Sequence, residues 1–85
     1  MVQVRIYGPL RERVGTGSLE IEASRAENVG ELLVAVSETI EEVEPSQLRK
    51  MSIFVNGTNI VDLKLFATHL ASGDEAVLLS PSGGG

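Results

Sequence analysis

Cysteine is absent from this 85-residue sequence, and its absence excludes several kinds of site at once. A chain without thiols forms no disulfide bond, no cysteine-ligated zinc or iron–sulfur site and no cysteine nucleophile. Long apolar runs are absent too, since no stretch approaches the roughly 20 residues that span a bilayer. The alternating N-terminus also lacks the apolar segment of a signal peptide. We therefore expect a cytoplasmic protein that does not enter a membrane.

Basic residues are scarce, because seven Lys and Arg stand against twelve Asp and Glu, for a formal net charge of −5. This charge repels a phosphate backbone and argues against a nucleic-acid partner. It suits either docking onto a basic protein or solubility alone, and the composition does not decide between them. The length is enough for one domain with one core. We place this domain at residues 1–79, followed by a flexible tail at residues 80–85.

Two strands are predicted at the start of the chain. Apolar and polar residues alternate over residues 2–7, which is the period of a half-buried strand. Leu19 and Ile21 alternate with glutamates and indicate a second strand. Glycine and proline are concentrated between the two segments, so we expect an antiparallel hairpin whose long loop covers residues 8–17.

A helix is predicted after this hairpin. Asn28 is a favourable N-cap, and Glu31 three residues later gives a pattern similar to a capping box. Pro45 ends the helix by residue 44. The apolar stripe, spaced at the helical period of 3.6, consists of Val29, Leu32, Leu33, Val36 and Ile40.

Further strands follow the helix. Residues 51–55 alternate with Phe54 pointing outward, Asn56-Gly57 predicts a tight turn, and residues 59–61 are expected to return as a short strand. Short turns and the last strand are expected at residues 62–70 and 76–79, respectively. This order lets the helix cross one face of the sheet and the first and last strands pair in parallel. We predict an α+β, β-grasp fold with one main helix on a mixed four- or five-stranded sheet.

Candidates for catalysis are few. His69 is the sole histidine and has no second histidine at ligand spacing, so a structural or surface role is favoured over a functional one. The acidic residues Glu41, Glu42 and Glu44 are typical of solvated surface rather than of an enclosed metal site. The glycines at residues 15–17 lack the Lys and Ser or Thr of a phosphate-binding loop. We expect no metal site and no catalytic residue.

The sequence closes with Gly83, Gly84 and Gly85. Glycine has no side chain, so such a tail can enter a narrow channel and present its terminal carboxylate to another protein. The six residues from Ser80 onward reach about 20 Å at roughly 3.3–3.6 Å each. A frayed terminus or an expression remnant would have the same composition.

Four segments together resemble the MoaD/ThiS family of ubiquitin-like sulfur carriers. Residues 6–15 are similar to the family's aromatic strand end followed by a Leu-Arg-Glu…Gly pattern. Val55-Asn56-Gly57 is similar to its middle hairpin, and residues 70–77 are similar to its Leu-x-x-Gly-Asp-Glu-Val segment. Residues 81–85 are similar to its proline-containing tail, with three terminal glycines in place of two.

The resemblance implies a carrier or co-substrate rather than an enzyme, with no bound cofactor. A ubiquitin-activating-type adenylating enzyme would use ATP to adenylate Gly85, at the end of the tail that Gly83 and Gly84 begin. A sulfur donor would then give a thiocarboxylate. A molybdopterin synthase large subunit-like protein would receive the sulfur for molybdenum cofactor biosynthesis. The alternatives are a protein modifier joined to lysines through Gly85 and a non-covalent interaction module.

A partner-binding surface is predicted on the outer face of the sheet. If the intervening residues of the last strand face the core, Val77 and Leu79 lie outward beside Phe54 and near Tyr7. We expect Phe54, Val77 and Leu79, with Pro81 of the tail, to bind a partner protein. Candidates for a polar rim are Arg5, Arg11 and Arg13, although solvated surface charge is the favoured interpretation of these arginines. The alternative is that loops cover this face or that its exposed apolar residues have no function.

Overall fold

The computed structural model describes residues 1–15, 17–40 and 43–80 of the chain. The strands are β1, Val2–Tyr7; β2, Ser18–Ile21; β3, Ser52–Val55; β4, Thr58–Asn59; and β5, Glu75–Leu79. The helices are α1, Pro9–Val14; α2, Val29–Thr39; and α3, Pro45–Leu48. In this part of the chain no helix has the length and apolar character that crossing a membrane requires.

The strands form one mixed sheet in the order β2-β1-β5-β3-β4, so β5 lies in the middle. β5 runs parallel to β1, with Val4 opposite Ala76, and antiparallel to β3, with Ile53 opposite Leu78. β2 and β4 add antiparallel partners at the two edges. The predicted parallel pairing of the first and last strands is confirmed. With one long helix against the sheet, the architecture is the predicted α+β, β-grasp fold.

The beginning of α2 is fixed by side chains on either side of it. Oδ1 of Asn28 accepts a hydrogen bond from the backbone N–H of Glu31 at 2.8 Å, which confirms the predicted N-cap. The carboxylate of Glu31 accepts from the N–H of Glu27 at 3.0 Å. That donor lies one residue before the N–H that a capping box would use. The carboxylate also lies in the first turn, where the helix dipole favours negative charge.

The apolar face of α2 joins the inner face of the sheet in the core. All five residues of the predicted stripe are buried, whereas Val34 on the other side of the helix is 42% exposed. The strands β1, β3 and β5 bury alternate residues, as expected for a sheet with one covered face. The buried side chains of the sheet are Val2, Val4, Ile6, Ile21, Ile53, Val55, Ala76 and Leu78.

The short helix α1 occupies the middle of the segment predicted as a long loop. Pro9 stands in its first turn, where the missing N–H removes no helical hydrogen bond. Gly15 ends the helix in the left-handed region at φ 81°, and its N–H donates to the carbonyl of Arg11 at 3.0 Å. The helix brings Leu10 against the core. The loop prediction for residues 8–17 is therefore wrong over α1.

A second short helix, α3, was also not predicted. α2 already ends at Thr39, and Pro45 begins α3 rather than only terminating a longer helix. The N–H of Glu44 donates to Oε1 of Gln47 at 2.8 Å, and Leu48 at the end of α3 is buried in the core. Glu44, predicted as solvated surface, therefore also helps to start a helix. Glu41 and Glu42 lie outside the described residues.

The return strand β4 is shorter and begins earlier than predicted. Asn56 and Gly57 have φ values of 49° and 86°, as a two-residue hairpin turn requires. This turn pairs Val55 directly with Thr58, so β4 cannot begin at residue 59. Three-residue 3-10 turns follow at Ile60–Asp62 and Leu65–Ala67. The second lies within the segment where short turns are predicted, whereas the first replaces most of the predicted return strand at residues 59–61.

Replacing Leu33 by alanine is expected to lower the free energy of unfolding by about 2–5 kcal/mol, because this fully buried side chain would leave a cavity. The neighbouring Val34→Ala variant is the control, and its exposed position predicts a change within about 0.5 kcal/mol. Urea denaturation followed by circular dichroism measures both. Equal losses in the two variants would contradict the assignment of the buried face of α2.

Candidate functional site

The chain leaves the sheet at its centre, because β5 has β1 on one side and β3 on the other. The backbone N–H of Ser80 donates to the carbonyl of Tyr7 at 3.2 Å. This hydrogen bond extends the parallel pairing one residue past Leu79, the end of β5. The predicted tail residues Pro81, Gly83, Gly84 and Gly85 lie outside the described residues, as does the side chain of Arg13.

Four apolar side chains lie together on the outer face of the sheet beside this exit. The strand register places Phe54 opposite Val77 and Tyr7 opposite Leu79. We call these four residues the outer apolar patch. Tyr7 is 39% exposed and Leu79 is 42% exposed, while Phe54 and Val77 are half-buried. The position and accessibility of the patch agree with the prediction from alternation, and its partner-binding role stays a prediction.

Charged side chains stand next to the outer apolar patch. Nε of Arg5 donates to a carboxylate oxygen of Glu75 at 2.8 Å on the same face. Hydrogen bonding to Tyr7 and then to Glu75 raises the pKa of Arg5, so its charge is permanent. An exposed pair of this kind is screened by solvent and contributes little to stability. The side chain of Arg11 packs over Gly17, where an added Cβ would lie 2.7 Å from Nε. Both arginines can therefore border a docked protein.

Two of the motifs that carry the family resemblance meet at the opposite end of β5. The side-chain amide of Asn56 donates to Oδ1 of Asp74 at 3.0 Å, and Oδ1 of Asn56 accepts from the N–H of Glu75 at 2.9 Å. The second carboxylate oxygen of Asp74 accepts from the N–H of Ala71 at 2.9 Å. We call Asn56, Asp74 and these bonds the Asn56–Asp74 unit. It joins the end of β3 to the start of β5 and is structural.

The carboxylate of Asp74 is stabilised in its charged form by these donors. The hydrogen bond from Asn56, followed by that from the backbone of Ala71, lowers the pKa of Asp74. The proton therefore binds more weakly to the folded protein than to the unfolded chain. This difference makes the Asn56–Asp74 unit a pH-dependent contribution to stability.

No metal-binding group is found in the described part of the chain. No three His, Cys, Asp or Glu side chains there come together in a way that could hold an ion. His69 is exposed, and its backbone forms an isolated antiparallel bridge with Asn28 beside the start of α2. Buried polar side-chain atoms of the same residues all have hydrogen-bond partners.

The model of the ThiS family matches residues 4–85. The chain belongs to the ThiS family. The predicted resemblance is thereby confirmed over nearly the whole sequence. The members of this family are ubiquitin-like sulfur carriers and modifiers. Membership therefore supports the predicted class of function, a ubiquitin-like carrier or modifier.

Solved structures show the same fold for this ThiS-family chain. The small archaeal modifier protein 1 of Methanosarcina acetivorans is 27% identical, with 99% of this chain and 95% of that one covered and a TM-score of 0.79. One chain of the complex of molybdopterin-converting factor subunits 1 and 2 from Helicobacter pylori is 27% identical, with coverages of 99% and 97% and a TM-score of 0.65.

A third structure, the Amycolatopsis orientalis BexX/CysO complex, contains a chain that is 23% identical over the full length of both chains, with a TM-score of 0.78. At this identity the likeness concerns the fold alone. Two of these three structures are complexes with a partner protein. No curated protein sequence matches the ThiS-family chain significantly.

Asp74→Asn is expected to flatten the acid side of the stability profile. Because the folded pKa is lowered, the carboxylate contributes stability that is fully present above its unfolded pKa of about 3.9 and is lost as pH falls through the folded pKa. The variant should lose about 1 kcal/mol at pH 7, the net value of one charged hydrogen bond at a partly exposed site. Denaturation curves between pH 7 and pH 2.5 measure both effects.

The controls for this experiment use other members of the same region. Asp62→Asn removes one charge at an exposed aspartate whose carboxylate has no hydrogen-bond partner among the described residues. Asn56→Ala removes the principal donor to Asp74, and combining it with Asp74→Asn should cost less than the sum of the single changes. An unchanged acid limb in Asp74→Asn would contradict the role of this carboxylate.

Proposed function

We propose that this protein is a sulfur carrier whose Gly85 carboxylate is converted to a thiocarboxylate and donates sulfur in molybdopterin biosynthesis. The observation that carries the proposal is the course of the chain at Ser80. The chain leaves the centre of the sheet there, beside the outer apolar patch, and continues into a tail that ends in three glycines. Because the proposed activation uses ATP, we also propose a cytoplasmic location.

Activation is required because a carboxylate resists nucleophilic attack. An adenylating enzyme of the ubiquitin-activating type joins a Gly85 oxygen to the α-phosphate of ATP and releases pyrophosphate. A sulfide-level donor then attacks the acyl carbon, and AMP leaves with the bonding electron pair and the former carboxylate oxygen. The product is a C-terminal thiocarboxylate, a soft nucleophile that can transfer its sulfur to a pterin precursor. Bonding of this sulfur to the pterin joins carrier and pterin as a thioester, and water then cleaves the acyl carbon–sulfur bond, which leaves the sulfur on the pterin and restores the carboxylate.

The carrier's own contribution to this sequence is binding and presentation. The outer apolar patch supplies an apolar centre and Arg5 and Arg11 a charged border, which is the usual make-up of a protein interface. Residues 81–85 add a reach of about 17 Å. Acid, base and metal groups are left to the partners, namely the adenylating enzyme and a molybdopterin synthase large subunit-like protein.

Incubation with ATP, a sulfur donor and an adenylating enzyme is expected to increase the intact mass by the difference between sulfur and oxygen. The increase should map to Gly85 in fragmentation spectra, because only the terminal carboxylate can form the acyl adenylate. A chain that lacks Gly84 and Gly85 is the control and should remain unmodified while its fold is unchanged. Function that survives this truncation would contradict the proposal and favour a non-covalent interaction module.

Phe54→Ala is expected to raise the KM of the adenylating enzyme for the carrier by about tenfold or more, with a smaller effect on kcat, since aromatic residues at interface centres contribute most of the binding energy. Val61→Ala is the matched control, because Val61 is 70% exposed in a 3-10 turn and is not a member of the outer apolar patch. Equal KM values for the two variants would contradict the predicted docking role. Thermal melting confirms that both remain folded.

A protein modifier is the second candidate function, favoured by the 27% identity and TM-score of 0.79 to the small archaeal modifier protein 1 of Methanosarcina acetivorans. In this reaction a lysine amine attacks the carbonyl carbon of the Gly85 acyl adenylate, AMP leaves with the electrons of the broken acyl–oxygen bond, and loss of a proton from the nitrogen gives the isopeptide bond. The last trypsin site of the chain is Lys64, so trypsin would leave residues 65–85 on the target. Ser82→Arg shortens this remnant to three glycines. Cell extracts without such remnants would exclude the modifier function.

A further inference from the structure

Gly8 lies directly against the point at which the chain leaves the sheet. Its backbone has φ 90° and ψ −166°, a region that is essentially open to glycine alone. A Cβ at this position would lie 2.8 Å from Cβ of Ser80, closer than real Cβ contacts. Cβ of Ser80 is bonded to the main chain, so rotating a side chain cannot relieve this contact. The backbone of one of the two residues has to move.

The surroundings indicate which backbone would move. The carbonyl of Gly8 accepts from the N–H of Arg11 at 3.0 Å, which ties it to the first turn of α1. On its other side it follows Tyr7, the last residue of β1, which pairs with Leu79. Ser80, in contrast, has β5 on one side only and the tail on the other. Ser80 would therefore be displaced, and its 3.2 Å hydrogen bond to the carbonyl of Tyr7 would break.

We infer that Gly8 is a positioning residue for the tail: its missing side chain lets Ser80 lie against the end of β1 and so fixes the point from which the chain continues into residues 81–85. This inference rests on the proposed carrier function. Residues 81–85 span at most about 17 Å when fully extended. A tail that uses this length to reach a partner's active site has little slack, so a displacement at Ser80 is passed on to the Gly85 carboxylate.

The experiment compares three variants of the full chain. Gly8→Ala introduces the clash with Ser80. Gly15→Ala is the matched control, since Gly15 lies at the other end of α1, also at positive φ, with no atom within 4 Å of an added Cβ. Gly8→Ala combined with Ser80→Gly removes two of the three nearest atoms and leaves the Ser80 nitrogen at 3.5 Å, an ordinary contact. Backbone strain at residue 8 persists in this double variant, whereas the clash does not.

The first readout is independent of any enzyme. Hydrogen exchange of the residue-80 amide, measured by NMR, should become about tenfold faster in Gly8→Ala, because its hydrogen bond to Tyr7 is lost. The Gly15→Ala variant should keep the original rate, and the double variant should recover most of it. Amides of β1 before Tyr7 serve as internal references for general loss of stability.

The second readout separates positioning from docking. With an adenylating enzyme that accepts the unaltered chain, Gly8→Ala should lower kcat for pyrophosphate release by roughly 10- to 100-fold, because small misplacements of a reacting group have effects of this size. KM should stay the same, since the outer apolar patch is unchanged. The Gly15→Ala variant should retain the original kcat. The double variant, Gly8→Ala with Ser80→Gly, should recover most of the kcat that Gly8→Ala alone loses.

Each result has a distinct meaning. Loss of kcat with accelerated exchange at residue 80, both reversed in the double variant, supports the inference. The inference is overturned if Gly8→Ala and Gly15→Ala have the same kcat and the same exchange rate at residue 80. It is also overturned if Ser80→Gly does not restore the kcat that Gly8→Ala loses. Neither result contradicts the carrier function. An unaltered chain that no adenylating enzyme accepts would overturn the proposed function itself, and the positioning role with it.

Discussion

The parallel pairing of β1 with β5 determines where the end of the chain can go. Because β5 also pairs with β3, its backbone groups are satisfied on both sides and it cannot drift to an edge. The residues that follow it therefore emerge from the middle of a rigid sheet. The pairing of residue 3 with residue 75 joins segments near the two ends of the sequence. The position of the exit therefore depends on contacts between distant parts of the chain.

The side chains of β5 alternate between the core and the outer face of the sheet. Ala76 and Leu78 are fully buried against the core, while Val77 and Leu79 point to the face that α2 does not cover. In a strand that is buried on one face only, the residues on the other face are usually polar. Apolar residues there have no role in the core. Together with Phe54 and Tyr7 they form the surface to which the proposed function assigns a partner protein.

Periodicity predicts the elements that bury most of the apolar surface. The alternation in β1 and β5 and the helical stripe of α2 are strong because the core selects side chains at fixed intervals. α1 was missed because six residues are too few to establish a period. Its signal lay in the flanking residues, with Pro9 at the start and Gly15 just after the end. The start of β4 could also have been placed correctly, since a two-residue Asn56-Gly57 turn leaves residue 58 as the first to pair.

Contacts between distant motifs are beyond such local patterns. Nothing in the periodicity of either segment indicates that Asn56 and Asp74 are hydrogen-bonded. Asn56 and Asp74 both belong to segments that resemble the family, and the resemblance alone suggests a functional role for them. In the structure their hydrogen bonds instead join the end of β3 to the start of β5. Similarly, the contact of Gly8 with Ser80 depends on the parallel register, which a sequence read segment by segment does not contain.

The Asn56–Asp74 unit nevertheless acts on the tail through the register of β5. Side chains alternate along a strand, so a slip of one residue would turn Val77 and Leu79 toward the core and Leu78 outward. It would also replace Ser80 by a neighbouring residue beside Gly8. Hydrogen bonds at the start of β5 oppose this slip about five residues before the exit, a distance of roughly 16 Å. A motif without any reacting group can thus be essential to a carrier, because a carrier's contribution to chemistry is the place at which it presents its terminal carboxylate.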